Sequence, residues 1–273
     1  MVSLSTEKLN IGYGEKTIVE DLDLHIEEGK ITTIIGANGC GKSTTLKALA
    51  RIHAAKSGNI YLDGKLIHKI PTKEIAKKMA ILPQGPEAPN GLTVFELISY
   101  GRSPHQKGFG RLSDKDRKVI HWSLEVTGLA SLAQKSVDAL SGGQRQRAWI
   151  AMAIAQQTDL LLLDEPTTYL DMAHQLEVLQ LLEKLNKEEK RTIVMVIHDL
   201  NHAARFSHQM VALQEGKIVK EGTPFEVMTH DVLREVFQID AEVVQDPRTN
   251  KPVCISYDLI QSGFGANKDA VNT

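Results

Sequence analysis

Residues Ile31–Thr44 read ITTIIGANGCGKST. The first five form a nearly continuous β-branched run that stops at Gly36. A run without polar alternation suits a strand covered on both faces, as in a parallel sheet. From Gly36 the spacing becomes G-x-x-x-x-G-K-[ST], met by Gly36, Gly41, Lys42 and Ser43. Glycine lets backbone N–H groups converge on phosphate oxygens where a side chain would intrude, and a helix starting at Lys42 aims its positive end at the same place. Lys42 is placed to reach the β- and γ-phosphates, and the Ser43 hydroxyl to ligate Mg²⁺. The stretch is therefore expected to hold a nucleoside triphosphate through Gly36, Asn38, Gly39, Cys40, Gly41, Lys42, Ser43 and Thr44. Cys40 reads most simply as a small residue tolerated in the loop. Thiol alkylation there is expected to block ATP binding, and bound ATP to slow alkylation.

Two further runs resemble the first. Leu160–Leu163 and Thr192–Ile197 are apolar and short enough for buried strands. Between them Val178, Leu181, Leu182 and Leu185 make one stripe of an amphipathic helix. Strand, loop, helix, strand is the α/β pattern. The run LLLLDE delivers Asp164 and Glu165 at a strand tip, where ligands bind in open α/β sheets. Asp164 is expected to hold Mg²⁺, and Glu165 to polarise the attacking water as general base. A third motif, LSGGQ at Leu140–Gln144, pairs a helix-capping Ser141 with two glycines that bare backbone donors.

Near the N-terminus, Leu22, Leu24 and Ile26 alternate with polar residues, and Asp63–Gly64 is a favoured hairpin turn. These predict a small antiparallel sheet. GPEAPNG at Gly85–Gly91 reads as a loop, and Thr93–Gln157 shows helical patterns without a convincing strand. Glu215–Gly216 and the PRTNKP stretch within 241–257 each suggest a further hairpin. The last dozen residues, SGFGANKDAVNT, are small and polar and are expected to be poorly ordered.

Of the 273 residues, 42% are hydrophobic and 24% charged, with a formal net charge of -2. That is the composition of an ordinary globular chain. No basic stripe suggests a nucleic-acid surface. Two cysteines, Cys40 and Cys254, exclude a disulfide framework. The start, MVSLSTEKLN, does not read as a secretory leader, and apolar runs such as Ala148–Ala155 are too short to span a bilayer.

The combination GANGCGKST, LSGGQ and LLLLDEP resembles the nucleotide-binding subunit of an ATP-binding-cassette (ABC) transporter, over roughly residues 2 to 240. The resemblance implies an α/β fold: a P-loop NTPase core with a mostly parallel sheet, an N-terminal antiparallel β subdomain and an inserted helical subdomain at about 86–158. Residues 241–273 would form a short C-terminal extension. It assigns Gln84 to Mg²⁺ and the attacking water, His198 to the γ-phosphate and Tyr13 to stacking on adenine. Leu170–Asp171 would cross to a partner subunit. ATP and Mg²⁺ are the implied ligands. Two copies would form a head-to-tail dimer, with Ser141, Gly142, Gly143 and Gln144 of one closing over ATP on the other.

The same resemblance implies integral membrane permease subunits as partners, an extracytoplasmic substrate-binding protein acting indirectly, and no nucleic acid. The chain would sit peripherally on the cytoplasmic face of the cell membrane. The permease contact is expected within residues 85 to 110. GRSPH at Gly101–His105, read as an exposed basic loop, and PTTYLD at Pro166–Asp171 resemble importers of ferric siderophores, haem and cobalamin. Tyr169 stands where many other importers place a small residue. A ferric siderophore is the expected cargo, with cobalamin, haem or a metal ion as alternatives. A cassette ATPase outside transport is the more distant reading.

Overall fold

In the computed structural model residues 2–106 and 111–260 are described. The last dozen residues, and part of the expected permease contact, lie outside them. Along the chain come β1 (Leu4–Tyr13), β2 (Lys16–Leu22), β3 (His25–Ile26) and β4 (Ile31–Gly36). Next are α1 (Lys42–Leu49), β5 (Ser57–Leu62), β6 (Lys65–Leu66), α2 (Thr72–Lys78) and β7 (Met79–Leu82). Then α3 (Val94–Tyr100), α4 (Asp114–Val126) and α5 (Gly142–Ala155) follow, with no strand between them among the described residues. The chain continues through β8 (Leu160–Asp164), α6 (Met172–Glu189), β9 (Thr192–Val196), α7 (Leu200–Phe206), β10 (Gln209–Gln214) and β11 (Lys217–Gly222). Last come α8 (Pro224–Val227), α9 (His230–Phe237), β12 (Ile239–Gln245) and β13 (Pro252–Leu259).

The central sheet runs β11-β10-β4-β9-β8-β7, parallel except at its β10–β11 edge. The three apolar runs occupy its middle because they are covered on both sides. On β8, Leu161 and Leu163 join one core cluster and Leu160 and Leu162 the other. On β9, Ile193 and Met195 separate from Val194 and Val196 in the same way. One face is covered by the helices, the other by α1 and the N-terminal antiparallel sheet.

That second sheet contains the expected Asp63–Gly64 hairpin as β5–β6. The alternation at Leu22, Leu24 and Ile26 is borne out in burial, although the strand breaks between Leu22 and His25. Among the described residues from 93 to 157 the regular elements are helices and short helical turns, with one isolated bridge between Thr93 and Ser136. Glu215–Gly216 turns β10 into β11, and PRTNKP separates β12 from β13.

The exposed basic loop expected at GRSPH is corrected by the structure. Arg102 is 1% exposed. Its Nε donates to Asp116 on α4 at 2.8 Å, and Nη1 donates to the Ala155 carbonyl at 2.6 Å and to Gln157 Oε1 at 3.0 Å. His105 Nε2 bonds the Gln156 carbonyl at 2.7 Å. The segment is a strut inside the helical region. Charge alone could not reveal this, because burial of an arginine depends on acceptors distant in sequence.

The β12–β13 hairpin packs on the core through Ala241, which belongs to the main cluster. The Asn201 side chain bonds the Cys254 backbone twice: Asn201 Nδ2 donates to the Cys254 carbonyl, and Cys254 N–H donates to Asn201 Oδ1. His230 bridges Asp231 and Asp240, at 3.1 and 2.8 Å, tying α9 to β12. Those bonds to Asp231 and Asp240 raise the imidazole above its ordinary pKa. The folded state thus holds this proton more tightly than the unfolded chain. The tie is complete below the ordinary histidine range and is lost as pH rises through the raised value. Amides of β12 are expected to exchange faster at pH 8.5 than at pH 5.5 after correction for intrinsic rates, and His230→Ala should remove that difference.

Candidate functional site: a phosphate loop and a carboxylate at one end of the sheet

Strands β4, β9, β8 and β7 are neighbours and parallel, so their C-terminal ends converge. β4 ends in the phosphate loop. Gly36 has φ +151°, and a Cβ there would meet the Leu213 carbonyl at 2.2 Å and Cys40 Sγ at 2.7 Å. Both the conformation and the close approach require glycine. Ala37, Asn38 and Gly39 form the exposed crest, and Gly41 precedes α1 in the left-handed region. Lys42 is buried, its ammonium held over the loop by the Gly36 and Ala37 carbonyls at 2.8 and 3.0 Å. Thr44 is half-buried in the first turn.

Cys40 packs into the core beneath the loop. Burial pushes its thiol pKa up, against the smaller opposing pull of Lys42. Only the thiolate reacts. Alkylation there, expected to block ATP binding, would have to reach a side chain that faces the core.

Ser43 Oγ donates to Asp164 Oδ1 at 2.7 Å across the gap from α1 to the β8 tip. Asp164 Oδ2 is buried with no hydrogen-bond partner. Burial raises the Asp164 pKa, opposed by the Ser43 hydrogen bond. An orphaned carboxylate oxygen beside a hydroxyl is a hard donor pair of the kind Mg²⁺ takes together with phosphate oxygens. Among the described residues no cluster of three or more His, Cys, Asp or Glu could hold a metal alone.

Glu165, one residue on, has φ +53°. Its carboxylate collects three neighbours. Gln84 Nε2, beyond β7, donates to Oε2 at 2.6 Å, and Thr168 Oγ1 donates to the same oxygen at 2.9 Å. His198 Nε2, beyond β9, lies 2.5 Å from Oε1. The structure thus brings Gln84, Glu165 and His198 together from three separate strands. Thr168 was missed as a site residue, although it lies in PTTYLD; its only signal was its place three residues after Glu165.

Tyr13 ends β1, is 53% exposed, and packs against His53 with ring centroids 4.4 Å apart. His53 was also missed, because it lies 40 positions away and carries no motif.

Ser141 caps α5 in a reciprocal box: Gln144 N–H donates to Ser141 Oγ, and Ser141 N–H donates to Gln144 Oε1. A Cβ on Gly143 would stand 2.5 Å from the His174 ring. Asp171 caps α6 by accepting from His174 N–H at 2.9 Å. That bond and the one to the His174 ring lower its pKa. Among the described residues no hydrogen bond joins 141–144 to the phosphate loop.

The ABC transporter family profile matches residues 19–168, a span holding the phosphate loop, Gln84, LSGGQ and Glu165. The chain is 69% identical over 262 residues to the iron(3+)-hydroxamate import ATP-binding protein FhuC of Bacillus subtilis, covering 96% of this chain and 97% of that one. An inward-facing putative metal-chelate type ABC transporter superposes with a TM-score of 0.80 at 30% identity, covering 93% of this chain and 96% of that one. A dimeric bacterial ABC transporter cassette superposes with a TM-score of 0.71, also at 30% identity, covering 81% and 98%. From its motifs, its sheet order and these relatives, the chain belongs to the ABC transporter family and is one of its ATPases.

Proposed function

We propose that this ATPase energises a bacterial importer of ferric siderophores, of which the hydroxamate class is best supported. The observation that carries the hydrolytic part is the Glu165 carboxylate, held by Gln84, Thr168 and His198 beside the phosphate loop. Such a group is oriented, and sits where it could accept a proton from an attacking water. Lys42 would trade its loop carbonyls for phosphate oxygens, His198 would contact the γ-phosphate, and Tyr13 would stack on adenine. Ser43, Asp164 and Gln84 would hold Mg²⁺, which neutralises phosphate charge when bound.

A second copy of the chain would supply Ser141, Gly142, Gly143 and Gln144 from across the interface, with Asp171 on the crossing loop. Ser141 and Gly142 are exposed on their own chain, which supports that reading. No described helix is long and apolar enough to cross a membrane. The chain would therefore act peripherally, on the cytoplasmic face, through permease subunits that contact the region 85–110. A substrate-binding protein would act on those permeases. Residues 2–240 would be the cassette, with 86–158 its helical insertion.

The cargo rests on the 69% identity to a hydroxamate import subunit. Deletion in the source bacterium is expected to abolish growth on hydroxamate siderophores as sole iron source. The wild-type gene should restore growth and Lys42→Ala should not. Unchanged growth on every siderophore, with loss of cobalamin, haem or metal-ion uptake instead, would overturn the cargo and leave the ATPase standing.

A further inference from the structure

Two features at the catalytic end of the sheet stand open among the described residues. The first is Tyr169. It is 93% exposed and has φ +64°, a left-handed conformation that bulky residues rarely adopt. Met172, at the start of α6, is 80% exposed beside it in sequence. The left-handed backbone is strained, and the ring gains no burial among the described residues.

The second is a recess of about 530 Å³ behind His198. Its walls are His198, Leu200, Phe237, Ile239, Cys254 and Tyr257, with Asp199 and Asn201 at polar positions. The exchange of hydrogen bonds between Asn201 and Cys254 fixes the hairpin wall against α7. Tyr169 of the same chain is not part of the lining.

We propose that this recess receives Tyr169 from a second copy of the chain, so that the C-terminal hairpin builds part of the ATP-dependent dimer interface. The inference rests on the dimer reading above. Tyr169 and His198 flank one carboxylate: Thr168, adjacent to Tyr169, donates to Glu165 Oε2, and His198 contacts Oε1. Both therefore lie on the face that carries the phosphate site, the face a head-to-tail partner covers. In a two-fold pair, contact of Tyr169 with the recess generates its reciprocal, giving two identical seats. The walls are apolar where a ring would sit, and Asp199 and Asn201 offer the partner that a buried tyrosine hydroxyl needs. The seat would link dimer closure to the hairpin, and through His198 to the nucleotide.

The native Cys254 provides the test. In a Glu165→Gln background, Tyr169→Cys is oxidised with copper phenanthroline with and without Mg-ATP. Two thiols lose two protons, and two electrons pass to the copper as the disulfide forms. A cross-linked dimer is expected only with Mg-ATP, and Cys254→Ser should abolish it. Separately, Tyr169→Ala should weaken ATP-dependent dimerisation about tenfold, as loss of an aromatic anchor does, and Tyr169→Phe should restore most of it. A cross-link that survives Cys254→Ser would pair position 169 with its own copy or with Cys40, and overturn the seat. Absence of the cross-link, while gel filtration shows the ATP dimer, would overturn the seat and keep the dimer. A Glu165→Gln protein that stays monomeric with Mg-ATP would overturn both. Cys254 equally protected from iodoacetamide with and without nucleotide would mean that the recess is filled within one chain, and would also refute the seat.

Discussion

Glu165→Gln is expected to lower the ATP turnover rate by about a thousandfold, within the range that a positioned general base contributes. Binding should survive, because the phosphate loop and Asp164 are untouched. The geometry makes the substitution unusually clean. An amide oxygen can still accept from Gln84 and Thr168, and the amide nitrogen can face His198. The shape at the β8 tip is kept while the basic oxygen is removed. ATP-bound dimers should then accumulate, since the γ-phosphate that bridges the copies persists. Single-turnover hydrolysis and gel filtration with Mg-ATP read the two effects separately. A substituted protein that turned over at the wild-type rate would remove Glu165 from the mechanism.

Arg102→Ala is expected to destabilise the chain by about 3–5 kcal/mol, the cost typical of leaving half of a buried ion pair behind. Three acceptors lose their donor: the Asp116 carboxylate, the Ala155 carbonyl and Gln157 Oε1. Burial alone would raise the Asp116 pKa, but hydrogen bonds from Ser113 and Arg102 outweigh it, and the net shift is downward. A lowered carboxylate stabilises the fold above its unfolded pKa, and loses that contribution as pH falls through the lowered value. Without Arg102 this acid dependence should shrink. A lysine should recover only part of the loss, because one ammonium cannot meet three acceptors set for a planar fork. Replacing Arg102 and Asp116 together by apolar residues should cost much less than either change alone. Urea unfolding midpoints measure all four proteins. A loss below about 1 kcal/mol for Arg102→Ala would place the pair in the class of exposed ion pairs.

Much of the fold was legible because the decisive strands are buried on both faces. ITTII, LLLLD and TIVMV carry no polar alternation, and the central parallel sheet puts cores on each side of them. β1 was harder to read. Lys8 has φ +44°, and register shifts fall near Leu9–Ile11 and Glu7–Asn10. Each bulge moves the two-residue period by one, so the alternation cancels along the sequence. Arg102 and Asp116 look like surface charges in sequence, because each is hidden by a partner that only packing brings near.

The residue types at the strand ends were set by the sequence alone: a glycine-rich loop before Lys42, two acids after LLLL, a histidine after TIVMV. Local chemistry suffices there, since phosphate recognition needs glycine geometry and a helix start whatever surrounds them. Tertiary structure decided the rest. It brought Gln84, Thr168 and His198 onto one carboxylate, turned Cys40 into the core and buried Arg102. It also left Tyr169 in the open and shaped a recess behind His198. These outcomes depend on strand order and on contacts between residues far apart in the chain, which no local pattern records.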